Sequence, residues 1–287
     1  MNEPIISIKQ LKYIYNGEKH ALNGVDLDIY EGERIAVIGS NGAGKSTFFL
    51  NLNGVLTPTS GEIYFKGQPI GHTKADLNTL RKAIGIVFQD ADNQIIASTV
   101  MGEVSFGPMN LKLPKDEVIR RVDEALAYMN LTDFKDRPPH YLSGGEKKRI
   151  TIADIIAMHP EIVVFDEPTA ALDPLNAQML EEVLDKLANQ NKTLLISTHD
   201  VDFAYRWAER AVVFCDGQII ADAPPVDIFR DEEILKRANL KKPMLLSVYE
   251  SMVENGLAPD GLYPKDPEAF KRMLEGIQVL EAPSQSA

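Results

Sequence analysis

Hydrophobic positions along this chain follow two different rhythms. Arg34-Ile35-Ala36-Val37-Ile38, Ile84-Gly85-Ile86-Val87-Phe88, Ile162-Val163-Val164-Phe165 and Thr193-Leu194-Leu195-Ile196-Ser197 are short runs with no polar face. They predict strands buried on both sides, as in a parallel sheet. Val25-Asp26-Leu27-Asp28-Ile29 instead alternates strictly, and Ile5 to Ile14 is rich in strand formers, so both predict an antiparallel side sheet. Gly61-Glu62-Ile63-Tyr64-Phe65-Lys66-Gly67 reads as a strand closed by a turn. After the apolar run Ala211-Val212-Val213-Phe214 and an Asp216-Gly217 turn, the strands are expected to end, and Pro224-Pro225 opens a helical tail.

Between the second and third buried runs, from Asp90 to about Met158, the pattern becomes helical. Val118, Val122, Ala125 and Met129 fall on one helical face in a segment opened by Pro114. A helical block between two buried strands predicts an inserted subdomain, about 90–158, within an α/β domain spanning 1–230. The remainder, 231–287, predicts a small helical extension with helices from Met244 to Glu254 and from Asp266 to Leu280. Phe270, Met273, Leu274 and Ile277 make an apolar stripe on the second of these, either packed on its own domain or set for a dimer contact. There is no internal repeat.

Composition narrows the partners. The 287 residues are 44% hydrophobic, enough for a sizeable core, and carry a formal charge of -12. Such an acidic balance disfavours nucleic acid and direct lipid insertion. Cys215 is the only cysteine, so no internal disulfide forms; a small core residue in a reducing compartment is expected. Met1-Asn2-Glu3-Pro4 lacks the pattern of a signal peptide, and no run approaches a membrane span. A cytosolic protein that does not itself cross a membrane is expected.

Chemistry concentrates at strand ends. Gly39-Ser40-Asn41-Gly42-Ala43-Gly44-Lys45-Ser46-Thr47 follows a buried strand and leads into a helix. Its glycines let main-chain N–H groups converge on phosphate, Lys45 reaches the β- and γ-phosphates, and the Ser46 hydroxyl is set for Mg²⁺. Gln89 ends another strand, where it is a plain loop glutamine or a contact to Mg²⁺ or the attacking water. Asp166 and Glu167 end the third, placed to hold Mg²⁺ and to polarise that water. His199 follows the fourth; alone it reads as a turn histidine, and with these neighbours as a γ-phosphate sensor. Ser143-Gly144-Gly145-Glu146 is a capping box. Its two glycines and the cations Lys147, Lys148 and Arg149 at the positive helix end suggest that an anion meets it. Asp173 is an N-cap with Pro174 at the first helical position, after Ala171-Leu172.

Taken in order, the phosphate loop, Gln89, Leu142 to Glu146, Asp166-Glu167, Leu172-Asp173 and His199 resemble the full motif set of an ABC-type ATPase. In that family they are Walker A, Q-loop, signature, Walker B with its catalytic glutamate, D-loop and switch histidine. The resemblance covers Ile5 to about Asp222. It implies a P-loop NTPase (RecA-like) mixed sheet with an antiparallel β side sheet, an inserted helical subdomain and a small helical extension. It further implies ATP and Mg²⁺ as cofactors, the latter held by Ser46, Gln89 and Asp166. Tyr15, which by composition alone is core or turn packing, matches the aromatic that stacks on adenine. Two subunits would pair head to tail, each ATP held by Gly39 to Thr47 of one and by Ser143, Gly144, Gly145, Glu146 and Asp173 of the other.

Narrower features resemble the energy-coupling-factor importers. These are Phe88-Gln89-Asp90-Ala91-Asp92-Asn93-Gln94 and Val104-Ser105-Phe106-Gly107-Pro108. Thr198 to Tyr205, Trp207-Ala208 and Arg237-Ala238-Asn239-Leu240 are most similar to ATPase subunits of cobalt or nickel importers. The implied partners are a second ATPase subunit, either another copy or a paralogue, and integral membrane transport subunits. The implied location is peripheral, on the cytoplasmic face of the membrane. Gln94 and Ser98 are expected to line the groove that receives those subunits. A vitamin importer, or a soluble ABC ATPase acting on DNA repair or translation, would carry the same motifs. A GTPase would not fit, because Asn191-Lys192-Thr193-Leu194 lacks the acid of a guanine reader. Two positions depart from the family: Glu146 stands where Gln is common, and Asp154 where a small residue is expected.

Overall fold

The computed structural model describes residues 3–281 apart from His72 and Ala171, and side chains as far as residue 276. Along the chain come β1 (Ile6–Tyr15), β2 (Lys19–Ile29), β3 (Arg34–Ile38), α1 (Lys45–Leu52), β4 (Ser60–Phe65), β5 (Gln68–Ile70), α2 (Lys74–Ala83) and β6 (Ile84–Val87). The helical block follows as α3 (Val100–Asn110), α4 (Lys115–Tyr128) and α5 (Gly144–Ala157). The chain re-enters the sheet with β7 (Ile162–Asp166), α6 (Pro174–Asn189), β8 (Thr193–Ser197), α7 (Val201–Trp207), β9 (Arg210–Cys215) and β10 (Gln218–Ala223). It closes with α8 (Pro225–Arg230), α9 (Glu232–Ala238), α10 (Met244–Glu254) and α11 (Pro267–Glu281).

One sheet runs β2-β1-β4-β5, antiparallel throughout. The other runs β10-β9-β3-β8-β7-β6 and is parallel except for β10 at its edge. The strands therefore do not end at Phe214. Asp216 (φ 49) and Gly217 (φ 75) make the two-residue turn with both φ positive that closes a tight hairpin, and β10 pairs back onto β9. Its residues are half-buried or exposed, which hides it from a reading based on apolar runs. α2, between β5 and β6, escapes the same reading because only Leu80 and Ala83 of its ten residues are buried.

Side chains of β3 alternate between two cores, as strand geometry requires. Ile35 and Val37 join Phe48, Phe49, Leu11 and Val25 between the sheets. Ala36 and Ile38 join Phe165, Leu184, Phe203 and Leu126 on the other face. Leu235 and Leu246 of the carboxyl-terminal helices share that second core. Phe270, Met273 and Leu274 of the apolar stripe are half-buried, and the side chain of Ile277 lies outside the described residues. Cys215 is half-buried at the end of β9 rather than in a core. Among the described residues no helix is long and apolar enough to cross a membrane.

Register places the chemistry. Val37 and Asp166 both pair with Ser197, and Val87 pairs with Phe165, so β3, β8, β7 and β6 finish level at one edge. Carboxyl ends of parallel strands are where open α/β sheets bind ligands.

Candidate active site

The loop after β3 turns sharply into α1. Gly44 is the N-cap at φ 110, a conformation closed to most side chains, and a Cβ there would fall 2.6 Å from Ala21 O. No side chain caps α1, so its first N–H groups stay open to an anion at the positive helix end. Lys45 is buried, and its Nζ donates to Gly39 O at 2.7 Å and Ser40 O at 3.3 Å. Burial lowers its pKa, while Glu167 and Asp166 pull the other way. Tyr15 Oη lies 3.2 Å from Thr47 Oγ1, with the ring set edge-on to Tyr13.

Across the cleft stand the acids. Glu167 sits at φ 46, left-handed backbone that costs about 1–3 kcal/mol for such a residue. Its N–H is held by Ser197 Oγ at 2.8 Å and Ser197 O at 3.2 Å. The Ser197 hydroxyl in turn donates to Asp166 Oδ1 at 2.6 Å. One hydroxyl thus orients both acids. Glu167 Oε1 is 3.0 Å from His199 Nε2 and 3.8 Å from Lys45 Nζ. This buried oxygen accepts no well-aligned hydrogen bond, so these contacts are close approach rather than bonding. Burial raises the Glu167 pKa, opposed by His199 and then Lys45. A desolvated carboxylate with a free oxygen is the form a general base takes.

Tyr15, Lys19, Asn41 to Thr47, Gln89, Glu167 and His199 line one cleft of about 310 Å³. The donor set fits ATP with Mg²⁺: open N–H groups and a buried ammonium for phosphate, and a hydroxyl, an amide and a carboxylate in Ser46, Gln89 and Asp166 for the cation. Among the described residues no trio of His, Cys, Asp and Glu forms a protein-only metal cage. Mg²⁺ needs none, because it is commonly held by one or two carboxylates together with substrate phosphates.

Ser143, Gly144, Gly145, Glu146 and Asp173 are absent from the lining of this cleft. Ser143 caps α5, its N–H and hydroxyl both donating to Glu146 Oε2 at 2.7 Å. A Cβ on Gly145 would fall 2.4 Å from the Asn176 side chain, and Asn176 is held by Asp173 at the N-cap of α6, so the two segments form one surface. Ala171, just upstream, is outside the described residues. The cations after Glu146 do not await an anion. Lys147 Nζ binds Asp92 Oδ1 at 2.7 Å, Lys148 Nζ binds carbonyls of Phe88 and Gln89, and Arg149 Nη1 is 3.4 Å from Met129 O. They brace α5 against neighbouring segments, leaving the glycines as the anion signal.

Ser197 is the residue that sequence reasoning passed over. Its role depends on the β7–β8 register, which no local pattern reveals. A second cavity, a groove of about 830 Å³, runs between the sheet and the helical block. Gln94 lines it, with Glu103, Phe106 and Asp154; Ser98 does not. The Asp154 carboxyl is pushed up to about 7 by burial first and then by Glu103.

A family model described as ABC transporter matches residues 22–170. The energy-coupling factor transporter ATP-binding protein EcfA2 of Methanospirillum hungatei is 44% identical over 279 residues, 97% of this chain and 69% of that relative. The structure of CbiO1 from Clostridium perfringens, part of the ABC transporter complex CbiONQ, is 38% identical with a TM-score of 0.73, covering 88% of this chain and 100% of that one. An ATP-binding cassette solved as a dimer in a post-hydrolysis state with ADP and Pi is 31% identical with a TM-score of 0.68, covering 77% of this chain and 98% of that one. The chain belongs to the ABC transporter family, as an ATP-hydrolysing subunit of the energy-coupling-factor type with ATP and Mg²⁺ as its cofactors.

Proposed function

We propose that this chain powers uptake of cobalt or nickel through membrane-embedded partners, working as a head-to-tail pair with a second ATPase subunit at the cytoplasmic face of the membrane. A vitamin is the alternative cargo. The observation that carries the pairing is the division of phosphate-binding elements. One cleft gathers the loop, Gln89, Glu167 and His199, while the glycine-bearing end of α5 is turned to a different surface. The metal-ion cargo rests on the likeness of Thr198 to Tyr205, Trp207-Ala208 and Arg237 to Leu240 to ATPase subunits of cobalt or nickel importers.

In this reading Tyr15 stacks on adenine, and Gly39 to Thr47 with Lys45 cradle the phosphates. Ser46, Gln89 and Asp166 would hold Mg²⁺, which shields phosphate charge when bound. Glu167 orients and deprotonates the attacking water, and His199 steers Glu167 and the γ-phosphate. Ser143, Gly144, Gly145, Glu146 and Asp173 of the second subunit complete the site, so hydrolysis waits for closure. Residues 1–230 form the ATPase unit, and 231–287 a helical extension.

E167Q is expected to slow hydrolysis roughly 10²- to 10⁴-fold, the usual worth of a positioned base, and to trap the ATP-bound pair. Near-normal turnover would remove Glu167 from its role. The groove lined by Gln94 is proposed to receive the membrane partner, so Q94W should abolish cobalt uptake into cells while ATP binding persists. Undiminished uptake would place the docking surface elsewhere.

A further inference from the structure

Lys148 has no part in the chemistry above, yet it is one of the few buried cations, 4% exposed. It lies five residues after Ser143, near the positive end of the α5 dipole, where a cation is unfavourable. Burying an ammonium costs free energy unless its protons are bonded. Here Nζ donates to Phe88 O at 2.6 Å and Gln89 O at 3.1 Å. The acceptors are main-chain carbonyls, so the contact fixes the path of a segment rather than one side chain. Burial lowers the Lys148 pKa to about 8 against the pull of Asp166 and Asp90.

The rest of that segment is fastened to the same helical block. Lys147 Nζ holds Asp92 at 2.7 Å. Buried Glu103 of α3 accepts from Ile96 N at 2.9 Å and Ala97 N at 2.6 Å. Residues 88–97 therefore ride with α3 and α5, although they begin at the end of β6 beside the nucleotide cleft. Lys148 is the contact nearest to Gln89.

We propose that Lys148 is a positioning residue that links the two half-sites of one chain. The helix whose N-terminus meets the partner's ATP grips, about one and a half turns further on, the main chain that aims Gln89 into this chain's own cleft. This rests on the head-to-tail pairing proposed above. Engagement of one ATP by Ser143 to Gly145 would then bias Gln89 at the other ATP, and by linkage the reverse. The result is cooperativity between the two ATP sites.

The test compares K148M, which keeps length and loses every donor, with K148Q, which keeps a neutral N–H donor. Each is made in the full chain and assembled with its second ATPase subunit and membrane partners. For K148M, ATP affinity of the isolated chain should stay within about twofold, because the phosphate loop is untouched. In the assembly kcat should fall about tenfold, the worth of a hydrogen bond to a charged group, and the Hill coefficient for ATP should drop toward one. K148Q should recover part of the cooperativity. A wild-type Hill coefficient in K148M would overturn the proposal. So would equal losses in both variants together with weaker ATP binding and a lower Tm, the mark of a packing role. The pairing is checked separately by sedimentation of the E167Q chain, Lys148 intact, with its second subunit in ATP. Failure to pair would overturn that reading and this one together. Pairing with unchanged cooperativity in K148M would overturn only the role of Lys148.

Discussion

The N-terminal ends of α1 and α5 both carry glycine, Gly44 as the N-cap of the first and Gly144 and Gly145 opening the second, and they are finished in opposite ways. The end of α1 has no side-chain cap and no acid in its first turn; its shape is set by backbone, with Gly44 pressed against Ala21 O. The end of α5 is closed on itself by Ser143 and Glu146. The first is a binding site already formed in the single chain, its donors left to the ligand. The second is satisfied without any ligand, and in the proposed pair a phosphate arriving from the other subunit would have to compete with Glu146 for the Ser143 hydroxyl. The same element thus serves as a permanent cradle or as a conditional contact, depending on what caps it.

The contrast can be broken most severely at Gly44. G44A forces a Cβ to within 2.6 Å of a backbone carbonyl at φ 110. Strain of about 1–3 kcal/mol, before any clash, should weaken ATP binding by the isolated chain at least about tenfold. Titration with a fluorescent nucleotide measures this, and an unchanged Kd would show that the loop is not held as described. S143A acts at the other end and more mildly. Loss of the cap should cost about 1 kcal/mol of stability, seen as a lower Tm. ATP affinity of the isolated chain should hold while ATP-driven pairing weakens. Weaker binding in the isolated chain would place Ser143 in its own cleft instead.

What the sequence made legible follows the same division. The cradle of α1 and the acid pair at the end of β7 are local: apolar run, turn and charged residues are contiguous, so residue type and spacing suffice. The capping box of α5 is equally local, and Ser143 and Glu146 close as their spacing implies. What depends on packing between distant segments was not legible. Ser197 matters because β8 lies in register beside β7, and Lys148 because α5 lies against residues 88 and 89. The three cations after Glu146 suggest an anion in the sequence and brace α5 in the structure for that reason, since charge alone does not say which way a side chain turns. β10 went unread because an edge strand with half-exposed residues has no continuous apolar signal.

The smallest expected effect is at Glu146, where capping and ligand compete. The Ser143 N–H, then the Ser143 hydroxyl, hold this carboxyl below its ordinary 4.5, against a minor opposing effect of burial. A depressed folded-state pKa means the stabilisation is fully present above the unfolded value and is lost as pH falls through the folded one. Near neutral pH the cap is therefore charged, and in the proposed head-to-tail pair that charge would face the γ-phosphate. E146Q retains an oxygen for the Ser143 N–H and removes the repulsion. At this half-exposed position a charge contact is worth about 0–1 kcal/mol, so ATP-driven pairing should tighten by no more than about fivefold. Tm should fall slightly near pH 7, because the charge-assisted bond is gone, and the difference from wild type should vanish once acid has protonated Glu146. Sedimentation across ATP concentrations, with thermal unfolding at neutral and acid pH, separates the two effects. Equal pairing of E146Q and wild type at every ATP concentration would mean that this carboxylate does not face the partner's phosphate.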